Sequence, residues 1–203
     1  MSEMSNPTDK LIGGIILAAG ESTRYGTKNK LLTPVSETPM IRAVATTAVE
    51  ALDTVMAVVG HEDAAVSASI NDIVDGCRYN AQYATGQSRS VRLGATVASE
   101  RGWDAAVFCL GDMPFVSAAT ITELQKQYRA AVSTIVAPRY EGQRGNPVLF
   151  DQQHFDDLLN LTGDTGGRNL IQDNRETAII ETNDSGVVRD IDTVADSKQY
   201  LPS

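Results

Sequence analysis

Residues 14–32 read Gly14-Ile15-Ile16-Leu17-Ala18-Ala19-Gly20-Glu21-Ser22-Thr23-Arg24-Tyr25-Gly26-Thr27-Lys28-Asn29-Lys30-Leu31-Leu32, and their reading decides the fold. Ile15 to Leu17 form an apolar run too short for a buried helix and β-branched enough for a central strand. The run stops at Ala18-Ala19-Gly20, three residues with almost no side chain. Another group can approach the backbone there, and Gly20 is free to take a positive φ. Polar and cationic residues follow: Ser22, Arg24, Lys28 and Lys30. A strand feeding a small-residue loop with mobile positive charge builds an anion cradle from backbone N–H groups, and the guest it predicts is a polyphosphate. An ordinary β-turn with surface basics reads equally well from composition alone, so the rest of the chain must decide.

Outward from this stretch, apolar strands alternate with amphipathic helices. The pattern predicts helices over 40–52, 62–73, 87–101 and 117–131, with Ser117 as an N-cap. It predicts strands over 54–60, 78–80, 104–110 and 133–137. Apolar rather than alternating strands, separated by helices, indicate a mostly parallel, doubly wound α/β sheet with helices on both faces. In such sheets ligands bind beyond the carboxyl ends of the strands, where Gly20 and Asp112 both fall. The last third changes character, with short strands expected at 147–150, 177–181 and 187–191, short helices at 152–159 and 194–200, and the glycine-rich segment 161–168. No linker divides it from what precedes. The expectation is a flexible N-terminus over 1–11 and one domain over 12–203, its nucleotide-binding half at about 12–138 and an acceptor-binding elaboration at about 139–203.

Composition narrows the partners. The 203 residues carry a formal net charge of -9, which argues against nucleic acid and makes Arg24, Lys28 and Lys30 in one loop stand out. No run approaches the roughly 18 apolar residues of a membrane span, and the polar N-terminus lacks a signal-peptide layout. Cys77 and Cys109 have no metal-ligand spacing, and Cys109 reads as a buried free thiol, so a reducing, cytoplasmic compartment is expected. His61 and His154 belong to no nucleophile–base pattern, and no G-x-S-x-G is present, which excludes hydrolase chemistry of that kind.

Asp112 follows an apolar strand and Gly111. A carboxylate so placed suits Mg²⁺, which pairs one or two carboxylates with substrate phosphates, although a turn or helix-capping aspartate fits the same context. Asp164, Asp190 and Asp192 are the candidates for a second carboxylate. Alternation on a strand over 187–191 would put Asp190 and Asp192 on one face, around Ile191. Ser88 and Ser90, at the start of the third helix, read locally as caps. Arg144 and Arg168 are candidates for gripping a phosphorylated acceptor through the guanidinium fork, against the alternative of solvated surface arginines.

These residues carry a resemblance. L-A-A-G-x-S-x-R-x-G followed by K-L-L over 17–32 is similar to the signature loop of nucleotidyltransferases of the molybdenum cofactor group, and LAAG resembles the cytidylyltransferase branch. It lacks the Gly-Lys-Ser/Thr ending of a Walker A loop. LGDMP at 110–114 resembles the family's metal-binding aspartate motif, and DIDT at 190–193 its terminal motif, for which Asp192 is the preferred ligand. Gly86-Gln87-Ser88-Arg89-Ser90-Val91-Arg92-Leu93-Gly94 is similar to the segment that encloses the base, with Val91 for the usual leucine. Arg144-Gly145-Asn146-Pro147-Val148 resembles R-G-x-P-V, with Asn146 where histidine is common. Five motifs in the family's order span Ile15 to Thr193.

The resemblance implies a single nucleotidyltransferase domain that moves CMP from CTP to the phosphate of molybdopterin with Mg²⁺ and releases pyrophosphate. It assigns catalysis to Arg24, Lys30 and Asp112, and metal binding to Asp112 and Asp192. Nucleotide binding falls to Leu17, Ala18, Ala19, Gly20, Ser22, Arg24, Lys30, Gly86, Ser88, Ser90 and Gly111. Acceptor binding falls to Arg144, Asn146, Asp164 and Arg168. A guanylyltransferase using GTP, a cytidylyltransferase for another phosphorylated acceptor, and a non-catalytic carrier delivering the cofactor to a molybdoenzyme are the alternatives.

Overall fold

The computed structural model describes residues 10–26, 29–163, 170–171 and 177–200. The sheet order is β5-β4-β1-β6-β9-β7-β10, with β8 on the edge of β7. Its strands are β1 (Ile12–Ala18), β4 (Val55–Val59), β5 (Gly76–Tyr79), β6 (Ala105–Leu110), β7 (Ile135–Tyr140), β8 (Gln143–Arg144), β9 (Val148–Asp151) and β10 (Thr177–Glu181). β1, β4, β5 and β6 pair in parallel, as do β7 and β10, while β9 runs antiparallel between β6 and β7. The expected mostly parallel sheet is therefore present, and the 147–150 segment is built into its middle. A two-stranded ladder, β2 (Pro34–Val35) with β3 (Thr38–Pro39), closes the connection to the first helix.

Strand alternation divides the core in two. Even-numbered residues of β1, Ile12, Ile16 and Ala18, join α1 (Met40–Ala51), α2 (Asp63–Ala68) and α4 (Ala118–Arg129) on one face. Ile15 and Ala19 face α3 (Gln87–Glu100) and α5 (Phe155–Leu159) on the other. Tight packing explains two glycines there: a Cβ on Gly13 would lie 2.2 Å from the Trp103 ring, and one on Gly94 2.6 Å from Ile15. The last described helix is α6 (Val194–Tyr200).

Three expectations need correction. The helix over 62–73 ends at Ala68, because Ser69 turns its hydroxyl back to the Ala65 carbonyl and 3₁₀-type bonds such as Ile70 N to Ser67 O follow. The strand over 133–137 begins at Ile135 and continues through Pro138 to Tyr140. The strand over 187–191 is absent. Ser185–Val188 instead form a 3₁₀ turn whose first N–H groups are met by Asp184, with Gly186 N donating to its Oδ1 at 2.9 Å. Long-range bonds tie this turn down: Val187 O accepts from Asn146 N at 2.9 Å, and Asp112 O accepts from Ile191 N at 2.9 Å.

Candidate active site

The loops after β1 and β6, the start of α3, and residues 143–146 and 187–192 enclose a cleft of about 840 Å³ at the carboxyl ends of the strands. Alternation places Leu17 and Ala19 on its wall, while Ala18, 1% exposed, points into the opposite core. Gly60 beside it must stay a glycine: a Cβ there would lie 2.8 Å from both the Cβ and the carbonyl oxygen of Ala19. Positive φ in this loop falls at Ser22 (φ 56°) and Gly26 (φ 102°), not at Gly20. Ser22 Oγ accepts from Lys30 N at 3.2 Å, so this side chain braces the loop. Asn29 caps the 3₁₀ turn Lys30–Leu32 by accepting from Leu31 N. Lys28 lies outside the described residues.

That turn aims Lys30 at two carboxylates. Its Nζ donates to Asp112 Oδ2 at 2.6 Å and to Asp192 Oδ1 at 2.7 Å, with the lysine side chain only 12% exposed. Burial pulls the lysine pKa down, but the Asp112 and Asp192 charges and hydrogen bonds outweigh it and raise the pKa, so the ammonium is fixed as a charge. Arg24 Nη1 meets Asp192 Oδ2 at 2.9 Å from a largely solvated position, a pair worth at most about 1 kcal/mol. Asp190 completes the cluster. Partial desolvation, then the Asp192 charge, raises its pKa although much of the residue faces solvent.

One carboxylate oxygen from each of Asp112, Asp190 and Asp192 lies within 4.8 Å of the others. An all-oxygen donor set of this size suits a hard divalent cation that keeps waters or substrate oxygens as its remaining ligands. Lys30 supplies the compensating positive charge at the same oxygens. Asp190 and Asp192 converge here through the irregular chain on either side of buried Ile191, not through strand alternation. Gly111 lies beneath the cleft, its Cα packed so that a Cβ would stand 3.0 Å from Leu17 O.

On the opposite wall, Tyr83, Gly86, Gln87 and Ser90 line the cleft. Gly86 adopts φ 119° and ψ 157°, a conformation L-residues rarely take. Neither serine acts as the expected cap. The start of α3 has no side-chain cap bond, Ser88 is buried below the wall, and Ser90 Oγ accepts from Asn80 Nδ2 at 3.0 Å. The third wall holds Gln143, Arg144 and Asn146, the last joined to Pro147 by a cis peptide. Asp164 and Arg168 lie outside the described residues. Tyr83, Gln143 and Val188 also line the cleft, and no motif singled them out. The nearest signal was position, since Tyr83 falls in the polar link before Gly86 and Gln143 precedes Arg144.

Comparison with known proteins shows the family and the fold. The purine catabolism protein PucB of Bacillus subtilis is 30% identical over 190 residues, covering 89% of this chain and 91% of that protein. The crystal structure of Rv0371c from Mycobacterium tuberculosis superposes with a TM-score of 0.82 at 28% identity, covering 96% of this chain and 100% of that one. The same protein in complex with manganese superposes at 0.78, over 95% of this chain and 98% of that one, again at 28% identity. The model of the MobA-like NTP transferase domain matches residues 14–178. That match spans most of the chain, and the chain belongs to the MobA-like NTP transferase domain family.

Proposed function

We propose that this nucleotidyltransferase moves CMP from CTP to the phosphate of molybdopterin. The observation that carries the reading is the Lys30 ammonium held between Asp112 and Asp192 at the mouth of the Ala19–Gly20 loop. The triphosphate lies along that loop, with Arg24 and Lys30 offsetting its charge, and the base lies against Gly86 and Ser90. An oxygen of the acceptor phosphate attacks the α-phosphorus in line. The bond from that phosphorus to the β-phosphate bridging oxygen breaks, and pyrophosphate leaves with the electron pair. Asp112 and Asp192, with Asp190 in reach, would hold Mg²⁺, which would supply Lewis-acid neutralisation of the phosphate charge there. No protein nucleophile is required; positioning and electrostatics carry the reaction. Arg144 and Asn146, which line the cleft, grip the acceptor phosphate; the Arg168 guanidinium is assigned to the same task, and Asp164 to the acceptor's other groups.

Calorimetry of CTP, GTP and ATP binding, with and without Mg²⁺, tests the reading. Selective, Mg²⁺-dependent CTP binding is expected. A preference for GTP moves the assignment to guanylyl transfer on the same fold. Absence of nucleotide binding under all conditions would overturn catalysis in favour of a cofactor carrier.

A further inference from the structure

Asn80 stands one residue beyond the end of β5 and is 5% exposed. Its backbone N–H donates to Val59 O at 2.8 Å, which fixes the residue to the neighbouring strand. Its side chain has an assigned polarity. Gln82 N–H, a donor only, lies 3.0 Å from Asn80 Oδ1, so that atom must be the amide oxygen. The other end is then the NH₂ group, and it donates to Ser90 Oγ at 3.0 Å.

The consequence falls on Ser90, which is 6% exposed and lines the cleft. With its oxygen accepting from Asn80, and with no other hydrogen-bond partner among the described residues, its hydrogen is left to point at whatever enters. We propose that Asn80 is a positioning residue for base selection. It holds Ser90 Oγ as an acceptor and thereby makes the Ser90 hydroxyl a fixed donor toward a lone pair on the edge of the nucleobase. This inference rests on the nucleotide reading given above. Cytosine suits the arrangement because its edge carries two adjacent acceptors, the ring nitrogen N3 and the carbonyl oxygen O2. Guanine turns donors outward at the corresponding N1 and N2 positions, and its acceptor on that edge, O6, lies at the end away from the sugar. A site whose buried donor must be matched discriminates against a base that meets it with another donor.

The test is a double-mutant cycle on binding, read with CTP, UTP, GTP and inorganic tripolyphosphate, which has no base. Asn80→Ala is expected to weaken CTP binding about five- to tenfold and tripolyphosphate binding not at all, and in a Ser90→Ala background to cause no further loss. Asn80→Asp keeps an acceptor for Gln82 N–H but offers Ser90 an acceptor too, which turns the hydroxyl round. Its loss should exceed that of alanine and should likewise vanish once Ser90 is gone. If Asn80→Ala weakens CTP equally with and without Ser90, or weakens tripolyphosphate as much as CTP, Asn80 only braces the loop and the proposal is overturned. Should the wild type prefer GTP, the cytidine reading falls separately, and the same cycle run with GTP still decides whether the lock exists.

Discussion

The loop after β1 and the turn before Asp190 bring charged groups to the same few ångströms, yet they are built in opposite ways. Around Gly20 a Cβ would meet nothing within 4 Å. At Gly186 it would lie 2.0 Å from the Phe115 carbonyl oxygen, and at Gly145 2.2 Å from that of Val187. The first loop keeps space for a guest and leaves its backbone to solvent. The second spends its glycines on contact between backbone segments far apart in sequence, because Asp190 and Asp192 reach Asp112 only if those segments touch. One side of the cleft therefore carries its cost in chemistry and the other in stability.

Lys30→Ala probes the chemical side and should give the largest effect. Turnover is expected to fall about 10²- to 10³-fold, the cost of removing one preorganised donor to developing charge. Nucleotide affinity should fall less than tenfold, and equal proportional losses would remove the catalytic role. Asp112 and Asp192 lose their internal cation in this variant, so Mn²⁺ binding without nucleotide should tighten in the same titration.

Gly186→Ala probes the structural side. The added methyl cannot avoid backbone atoms by rotating a neighbour, so a loss of about 3 kcal/mol is expected. For a chain of this size that is a fall in Tm of roughly 6–12 °C. A Tm within 2 °C of wild type would show that the turn is not clamped against Phe115.

Asp184→Ala acts on the same turn by removing its brace. Asp184 Oδ2 accepts from Ser117 N at 2.8 Å, Ser117 Oγ at 2.9 Å and Thr120 Oγ1 at 2.7 Å, while Oδ1 accepts from Gly186 N. A loss of about 1–2 kcal/mol is expected for a partly solvated cap of this kind. Burial pushes the Asp184 pKa up, but the bonds from Ser117, Thr120 and Gly186 together outweigh it and hold the carboxyl below its ordinary value. Its contribution is then complete above the unfolded pKa of about 3.9 and is lost as pH falls further, through the folded value. The gap between wild type and variant, measured by urea unfolding from pH 6 to pH 3, should close at the acid end. A gap that widened there would reverse the sign.

The same contrast decides what was legible in the sequence. β1, β4 and β6 are unbroken apolar runs followed by Ala19-Gly20, Gly60 and Gly111-Asp112, and each signal lies within about ten residues of the position it describes. Val187-Val188-Arg189-Asp190-Ile191 has a strand's composition, but its backbone partners are Asn146 and Asp112, some 40 to 80 residues away in sequence. Nothing local announces them. Ser90 misleads even though its partner is nearer: a serine at a helix start reads as a cap until Asn80, ten residues earlier, takes its oxygen. The helix expected over 62–73 fails more simply, since Ser69, Asn71 and Asp72 offer the backbone competing partners and Asp72 pairs with Arg42 across two bonds of 2.7 Å.

Gly20→Ala gives the smallest expected change in stability and the sharpest separation of the two sides. Its φ lies outside the left-handed region and its Cβ meets open space, so neither strain nor overlap penalises alanine in the nucleotide-free protein. Thermal unfolding should move by no more than about 0.5 kcal/mol. The space that makes the substitution harmless to folding belongs to the cleft, so tripolyphosphate and CTP should both bind more weakly, by a similar factor. A clear loss of stability would show that Gly20 is a packing glycine like Gly186. Unchanged binding of both ligands would place the triphosphate away from the β1 loop, and the charge on Lys30 would then need another purpose.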